Sequence, residues 1–241
     1  MRISQEIYKH NWERYIEANI LINILFRVKR KINVFDVGFS GGYYLLDLLN
    51  LENVNTVTGI DNDISRIKGD SFDTPKELKE IWYNQVLPYI EYKEIDILNT
   101  DIEDRFDFGI SISTIEHITP LGYANNQEYD DYNDIKAVGK MKDLLLEDGL
   151  LYLTFPCGVE EKYFSKKNKY KEELLNHGYK LGHHDIIYYN EDRISKVIGD
   201  WKIVREHYWT NPKVEEIEKQ EAMKIVNGEN PKGLCTLLLR K

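Results

Sequence analysis

Val34-Phe35-Asp36-Val37-Gly38-Phe39-Ser40-Gly41-Gly42 is the stretch that decides how this chain is read. A short apolar run stops at Gly38, a turn rich in small residues follows, and Tyr44, Leu45, Leu48 and Leu49 then recur at helical spacing. The pattern predicts a strand, a tight turn and a helix. Small residues at such a junction let a ligand approach backbone N–H groups and the start of the helix.

Working outward, the unit repeats. Thr56 to Ile60 reads as a second strand ending at Asp61, and Pro75 opens a helix through Leu78, Ile81, Trp82, Val86 and Leu87. A third strand near Tyr89 to Ile95 closes at Asp96, and Phe106 to Ile112 reads as a fourth. A helix through Ile135, Val138, Met141, Leu144 and Leu145 leads to a fifth strand, Gly149 to Phe155. Beyond it, a helix over 191–198 and strands over 201–208 and 234–239 complete the pattern. Alternation of this kind predicts an α/β fold, a doubly wound, seven-stranded, mostly parallel sheet. Ahead of it, Ser4 caps one long amphipathic helix through Ile7, Tyr15, Ile16, Ile20, Ile24 and Val28. The expected organisation is a single domain over 1–241, with 1–31 as a helical lid and 119–134 and 156–188 as substrate-loop insertions after strand ends.

Composition narrows the function. Of 241 residues, 41 are acidic and 32 basic, and 42% are hydrophobic. The chain is therefore a folded one, and its net charge of −9 disfavours a nucleic acid partner bound through phosphates. Cys157 and Cys235 match no metal-ligand spacing and read as buried small hydrophobes, so no metal is expected. Glu6 comes too early for a secretory leader, and the apolar stretch from Ile20 to Phe26 is too short to span a bilayer. The expectation is a cytoplasmic protein without membrane insertion; the oligomeric state is left open.

Three enzyme classes use a turn like that at Gly38. As a dinucleotide fingerprint, G-x-G-x-x-G, it fails at Ser40 and Tyr43. As G-x-S-x-G it is the nucleophile elbow of a serine hydrolase, with Ser40 as nucleophile and His183, His184 or His207 as base. Position opposes this reading, because the turn follows the first strand and no oxyanion loop precedes it.

The third reading takes in more of the chain. Asp36-Val37-Gly38-Phe39-Ser40-Gly41-Gly42 resembles the D-x-G-x-G-x-G first motif of class I S-adenosylmethionine-dependent methyltransferases, with Ser40 replacing the middle glycine. Gly59-Ile60-Asp61 stands where that family places an acidic residue after its second strand, and Asp96-Ile97 where it flanks the adenine. Phe106-Asp107-Phe108-Gly109-Ile110-Ser111-Ile112 with Glu116-His117 resembles the fourth-strand segment. Met141 to Leu150 resembles the helix, turn and fifth strand, without the usual proline and second glycine.

The resemblance implies a Rossmann-like methyltransferase fold with S-adenosyl-L-methionine as cofactor. It implies that Gly38, Ser40 and Gly42 let backbone approach the cofactor, with Asp36 orienting the glycine loop. Asp61 then fixes the ribose and Asp96 with Ile97 the adenine, while Phe39, Asn62 and Ser113 complete the cofactor set. Methyl transfer to a hydroxyl needs a base, for which His117 is the first candidate; the same imidazole could instead bond a loop carbonyl, with Glu116 capping the turn. His184 is a second candidate base, with Asp185 orienting an imidazole. Tyr129, Asp130 and His183 are candidates for binding a polyhydroxylated substrate, and the lysines of 162–171 read as a solvated face. Ser113 to Ile118, Leu121-Gly122-Tyr123 and Phe155-Pro156-Cys157-Gly158 resemble a prokaryotic group associated with polysaccharide and glycan biosynthesis, which implies a sugar hydroxyl as acceptor. The rival is a non-catalytic, methyltransferase-like binding subunit.

Overall fold

The computed structural model describes residues 7–8, 11–39, 42–63, 76–118, 130–165, 168, 171–182, 185–210, 214–226 and 232–241. The chain divides into two compact units: Met1–Ile112 with Asp143–Tyr152 and Lys241, and Ser113–Lys142 with Leu153–Arg240.

In the first unit the long N-terminal helix expected from periodicity is interrupted. Ile7 and Tyr8 are helical, but Asn11 takes extended geometry and its side chain accepts from the Arg14 N–H at 3.2 Å, starting a helix over Trp12–Phe26. A carboxamide competing for backbone donors is what breaks the run. The helix stops at Phe26, five residues short of the expected Lys31. Its inner face buries Ile16, Leu21, Ile22 and Leu25, and the Tyr152 hydroxyl donates to the Glu17 carbonyl at 3.0 Å.

The strands of this unit are β1 (Ile32–Val37), β2 (Val54–Asp61), β3 (Glu91–Glu94) and β4 (Phe106–Ile112). Helices over Tyr44–Leu49 and Lys76–Gln85 connect them. They pair in parallel in the order β4-β1-β2-β3, with Asp36 opposite Gly59 on one side and Ile110 on the other, and Asp61 opposite Glu94. β1 and β4 are buried almost throughout, as a parallel sheet covered on both faces requires. At Gly109 a Cβ would lie 2.4 Å from the Phe35 ring, so glycine there makes room for an aromatic on the neighbouring strand.

β5 (Leu145–Cys157) has residues 145–152 in the first unit and 153–157 in the second. The expected helix-to-strand turn falls inside this element: Asp148 takes φ +61°, and a Cβ on Gly149 would stand 2.8 Å from the Leu146 carbonyl.

The second unit holds a helix over Asn133–Leu144 up to Lys142, then β6 (Glu161–Ser165), a helix over Lys171–Asn176, β7 (Lys180–Gly182) and β8 (Ile186–Tyr188). β6 pairs in parallel with β7 and antiparallel with β8. Phe164, Leu174 and Tyr179 form the core of this small layer. The segment expected as a substrate loop over 156–188 is therefore built on a three-stranded sheet, whose strands of three to five residues are too short to show a period. A helix over Glu191–Ile198 is capped by Asn190 and ends at Gly199, at φ +49°. β9 (Lys202–Thr210), β10 (Glu215–Ile217) and β11 (Gly233–Arg240) pair antiparallel in the order β10-β9-β11. Among the described residues the large sheet has eight strands, β10 being the one beyond the seven expected. Cys157 and Cys235 are buried free thiols. Among the described residues no helix is long and apolar enough to cross a membrane.

Candidate cofactor and catalytic sites

The parallel register of the first unit aligns three strand ends. Gly38, just past β1, donates its N–H to the Ile60 carbonyl at 2.8 Å, and Ile95, just past β3, donates to the Asp61 carbonyl at 3.0 Å. Asp36, Asp61 and Asp96 thus lie at the carboxyl ends of adjacent strands, where open α/β sheets receive ligands.

Gly38 holds φ +77°, which any side chain would strain, and the chain turns there toward the helix over Tyr44–Leu49. Gly42 closes the turn by donating to the Phe39 carbonyl at 3.0 Å. Ser40 and Gly41 lie outside the described residues. Asp36 is fully buried below this turn. One of its oxygens accepts the Tyr44 hydroxyl at 2.7 Å, and the other, Oδ1, has no hydrogen-bond partner among the described residues. Burial pushes its pKa up to about 7; the Tyr44 hydrogen bond opposes this and the charge of Asp61 adds to it. Tyr44, one residue past the tight turn, was not anticipated as Asp36's partner; its place on the first helical turn was the available signal.

Phe39 was expected in the cofactor set, and its side chain is packed inside the protein. The ring is fully buried, stacks on Trp82 at 6.4 Å, and lies where a Cβ on Gly59 would come within 2.7 Å. Trp82 also meets Tyr43 edge-on at 5.8 Å, and Tyr43 meets Tyr8 at 6.3 Å. These rings brace the turn from behind, so Phe39 can offer a ligand only its backbone. The glycine of Gly59-Ile60-Asp61 is explained by this packing.

Asp61 is half-buried, with Oδ1 accepting from the Asp63 N–H at 3.1 Å, and Asn62 beside it is exposed. Asp96 caps the turn over Ile97–Asn99: its Oδ1 accepts from the Leu98 N–H at 2.9 Å, leaving Oδ2 directed to no described partner. Ile97 is buried.

In the second unit, Ser113 follows β4 at φ +43°, an uncommon value for a residue with a Cβ. Its N–H is shared between the carbonyl and hydroxyl of Thr154, at 3.1 and 3.0 Å, which accounts for the sharp bend. The turn over Ile115–His117 follows, with Glu116 buried. His117 Nδ1 lies 2.6 Å from the Asp185 backbone carbonyl. A carbonyl can only accept, so Nδ1 carries a proton, and in the neutral imidazole Nε2 presents the lone pair. Nε2 stands 4.0 Å from Glu116 Oε1.

Asp185 was expected to orient an imidazole of the neighbouring histidines, which lie outside the described residues. Its carboxylate accepts from the Ser165 N–H at 2.9 Å and from Asn168 at 3.1 Å, and its backbone oxygen meets His117. Asp130, expected as a substrate ligand, accepts from the Tyr132 N–H at 2.8 Å and pairs with Lys136, which holds its carboxyl below the usual range. Asp130 is thereby committed to starting the helix at Asn133. His183, His184 and Tyr129 lie outside the described residues. Sequence reasoning missed the buried pair of this unit, in which Arg193 donates to Asp134 through Nε and Nη2 at 3.0 and 2.9 Å and Tyr189 donates to Asp134 at 2.6 Å. Among the described residues no group of three or more His, Cys, Asp or Glu side chains gathers as a metal site would require.

A family model described as Caenorhabditis protein of unknown function, DUF268, matches residues 58–192. No curated protein matches the sequence. Solved structures do resemble the fold. The N-methyltransferase NodS of Bradyrhizobium japonicum in complex with S-adenosyl-L-homocysteine aligns at TM-score 0.55 and 13% identity, over 95% of this chain and 87% of that one. The 1,6-didemethyltoxoflavin-N1-methyltransferase of Burkholderia thailandensis, solved with S-adenosylhomocysteine, aligns at 0.54 and 13%, over 98% and 81%. An S-adenosylmethionine-dependent methyltransferase of Clostridium acetobutylicum aligns at 0.54 and 11%, over 99% and 96%. The chain has the Rossmann-like fold of these methyltransferases.

Proposed function

The chain belongs to this DUF268 family, whose description names no activity, and we propose that it transfers a methyl group from S-adenosylmethionine to a small-molecule acceptor, with a sugar hydroxyl preferred. The observation that carries the reading is the alignment of Asp36-Val37-Gly38, Asp61 and Asp96-Ile97 at three adjacent strand ends.

These residues fit such a cofactor. The buried Asp36 oxygen without a partner faces the requirement of a polar group in the glycine turn, and the positive φ of Gly38 exposes backbone there. Asp61 can accept two ribose hydroxyls, as carboxylates at this position do for dinucleotides. Asp96 Oδ2 can accept an adenine amino group while Ile97 covers the ring. When bound, the cofactor supplies an electrophilic methyl group on a sulfonium.

The second unit supplies the candidate base. With Nδ1–H held by the Asp185 carbonyl, His117 Nε2 can take the proton of a hydroxyl acceptor, a contribution of about 10²–10⁴-fold in rate. The N-methyltransferases among the structural neighbours favour a second reading, in which the acceptor is an amine. A chain without nucleic acid partners accompanies the proposal, from the net charge of −9, as does the cytoplasmic location expected from the sequence.

Calorimetry with S-adenosylmethionine and S-adenosylhomocysteine tests the cofactor reading. Both should bind the wild type, and Asp61→Ala should weaken binding by about a hundredfold, the loss of two hydrogen bonds to a charged group. Absence of binding to the folded wild type would sink the proposal. Assays of methylated sugars and amines then separate the two acceptor readings.

A further inference from the structure

A cleft of about 460 Å³ lies between the helix over Tyr44–Leu49, the amino half of β2 and the end of the helix over Lys76–Gln85. At about 3.3 Å per residue, Val57, the lining residue nearest Asp61 along β2, is about 13 Å from it. The cleft is thus separate from the candidate cofactor site. Its size falls within the range of small-ligand pockets.

The lining has an uncommon chemistry for this protein. None of its ten described lining residues is charged, in a chain that is 30% charged. Its polar side chains are four carboxamides, Asn50, Asn55, Asn84 and Gln85, with Thr56 and Tyr89, beside the buried Leu46 and Val57.

Two of the carboxamides are held in place. Asn55 Nδ2 and Thr56 Oγ1 both donate to Asn33 Oδ1 at 2.9 Å, and Asn50 Nδ2 donates to the Leu46 carbonyl at 2.6 Å. These bonds use up donors and leave the Oδ1 atoms of Asn50 and Asn55 as acceptors. Asn84, Gln85 and the Tyr89 hydroxyl bond to none of the described residues, and Tyr89 is 70% exposed at the cleft.

We infer that this cleft is a second, non-catalytic binding site for a neutral carbohydrate. Fixed acceptors beside free carboxamide donors match the paired donor and acceptor character of vicinal hydroxyls. The tyrosine ring and the aliphatic side chains suit the C–H faces of a pyranose. Among the described lining residues no charged side chain offers a phosphate, uronate or ammonium group an ion pair. The inference does not depend on the cofactor reading, because none of its residues belongs to that site.

An array of immobilised neutral oligosaccharides of glucose, galactose, mannose and N-acetylglucosamine, with uronic acid-containing and sialylated ones beside them, probes the intact chain. The strongest neutral binder is then titrated into ¹⁵N-labelled protein. Neutral oligosaccharides should bind in preference to acidic ones and shift the carboxamide signals of Asn84 and Gln85. Tyr89→Ala and Asn84→Asp, both at exposed positions, should keep the wild-type thermal midpoint and weaken binding by about tenfold. The inference is overturned if the wild type retains no neutral oligosaccharide, if acidic ones bind as well, or if both folded variants bind like the wild type.

Discussion

Replacing Asp36 by Asn should stabilise the ligand-free protein in a manner that grows with pH. The carboxyl is fully buried, and burial raises its pKa from 3.8 to about 7, with Tyr44 opposing and Asp61 adding to the shift. Below pH 3.8 the group is protonated in both folded and unfolded chains and costs nothing. Between the two values the unfolded chain releases the proton that the folded chain keeps, so stability falls as pH rises; above pH 7 the full penalty is present. At 1.36 kcal/mol per pH unit, the penalty is about 2 kcal/mol at pH 5 and about 4 kcal/mol at pH 8. Asn keeps an acceptor for the Tyr44 hydroxyl and has no proton to lose. The stability of Asp36→Asn relative to wild type should therefore rise by about 2–3 kcal/mol between pH 5 and pH 8. Urea unfolding at each pH measures this, provided the denaturant slopes of the two proteins agree. The same comparison in an Asp61→Asn background should show a smaller rise, since Asp61 is one cause of the shift. A difference between the two proteins that stays flat from pH 5 to pH 8 would refute the reasoning.

Three further outcomes follow from the geometry. Gly59→Ala places a Cβ 2.7 Å from the Phe39 ring, and should cost about 1–3 kcal/mol in urea unfolding while weakening S-adenosylhomocysteine binding in calorimetry through the displaced turn. His117→Gln should lower methyl transfer to a hydroxyl acceptor by about 10²–10⁴-fold and leave S-adenosylhomocysteine affinity unchanged, read by initial rates and calorimetry on the same preparation. Arg193→Met leaves the Asp134 carboxylate buried without its bidentate partner and should cost about 3–5 kcal/mol in denaturant unfolding; adding Asp134→Asn should recover part of that loss.

The strand ends of the first unit were legible because the information is local. β4 begins and ends where its apolar run does, at Phe106 and Ile112, and Asp61 closes β2; β3, expected from Tyr89 to Ile95, spans only Glu91–Glu94, with Asp96 two residues past its end. The N-terminal helix was misjudged at Asn11 for an equally local reason: apolar spacing continues through it, while its side chain caps the next helix. Phe39 was placed in the cofactor set through the motif it sits in. Its ring turns instead toward Gly59 and Trp82, 20 and 43 residues away in the chain, a packing no motif encodes.

That contrast explains why a cofactor can be argued for this chain more readily than an acceptor. A nucleotide-like ligand at the end of a parallel sheet is held largely by backbone and by one carboxylate per strand, so its determinants recur at fixed places along the sequence. The candidate catalytic side is assembled differently. His117 acquires its tautomer from a carbonyl 68 residues later, and Arg193 reaches back 59 residues to neutralise Asp134. Asp130, a carboxylate offered for substrate, already pairs with Lys136 and accepts the Tyr132 N–H. The specificity of such a site rests on pairings between distant segments, of which the sequence shows only the members.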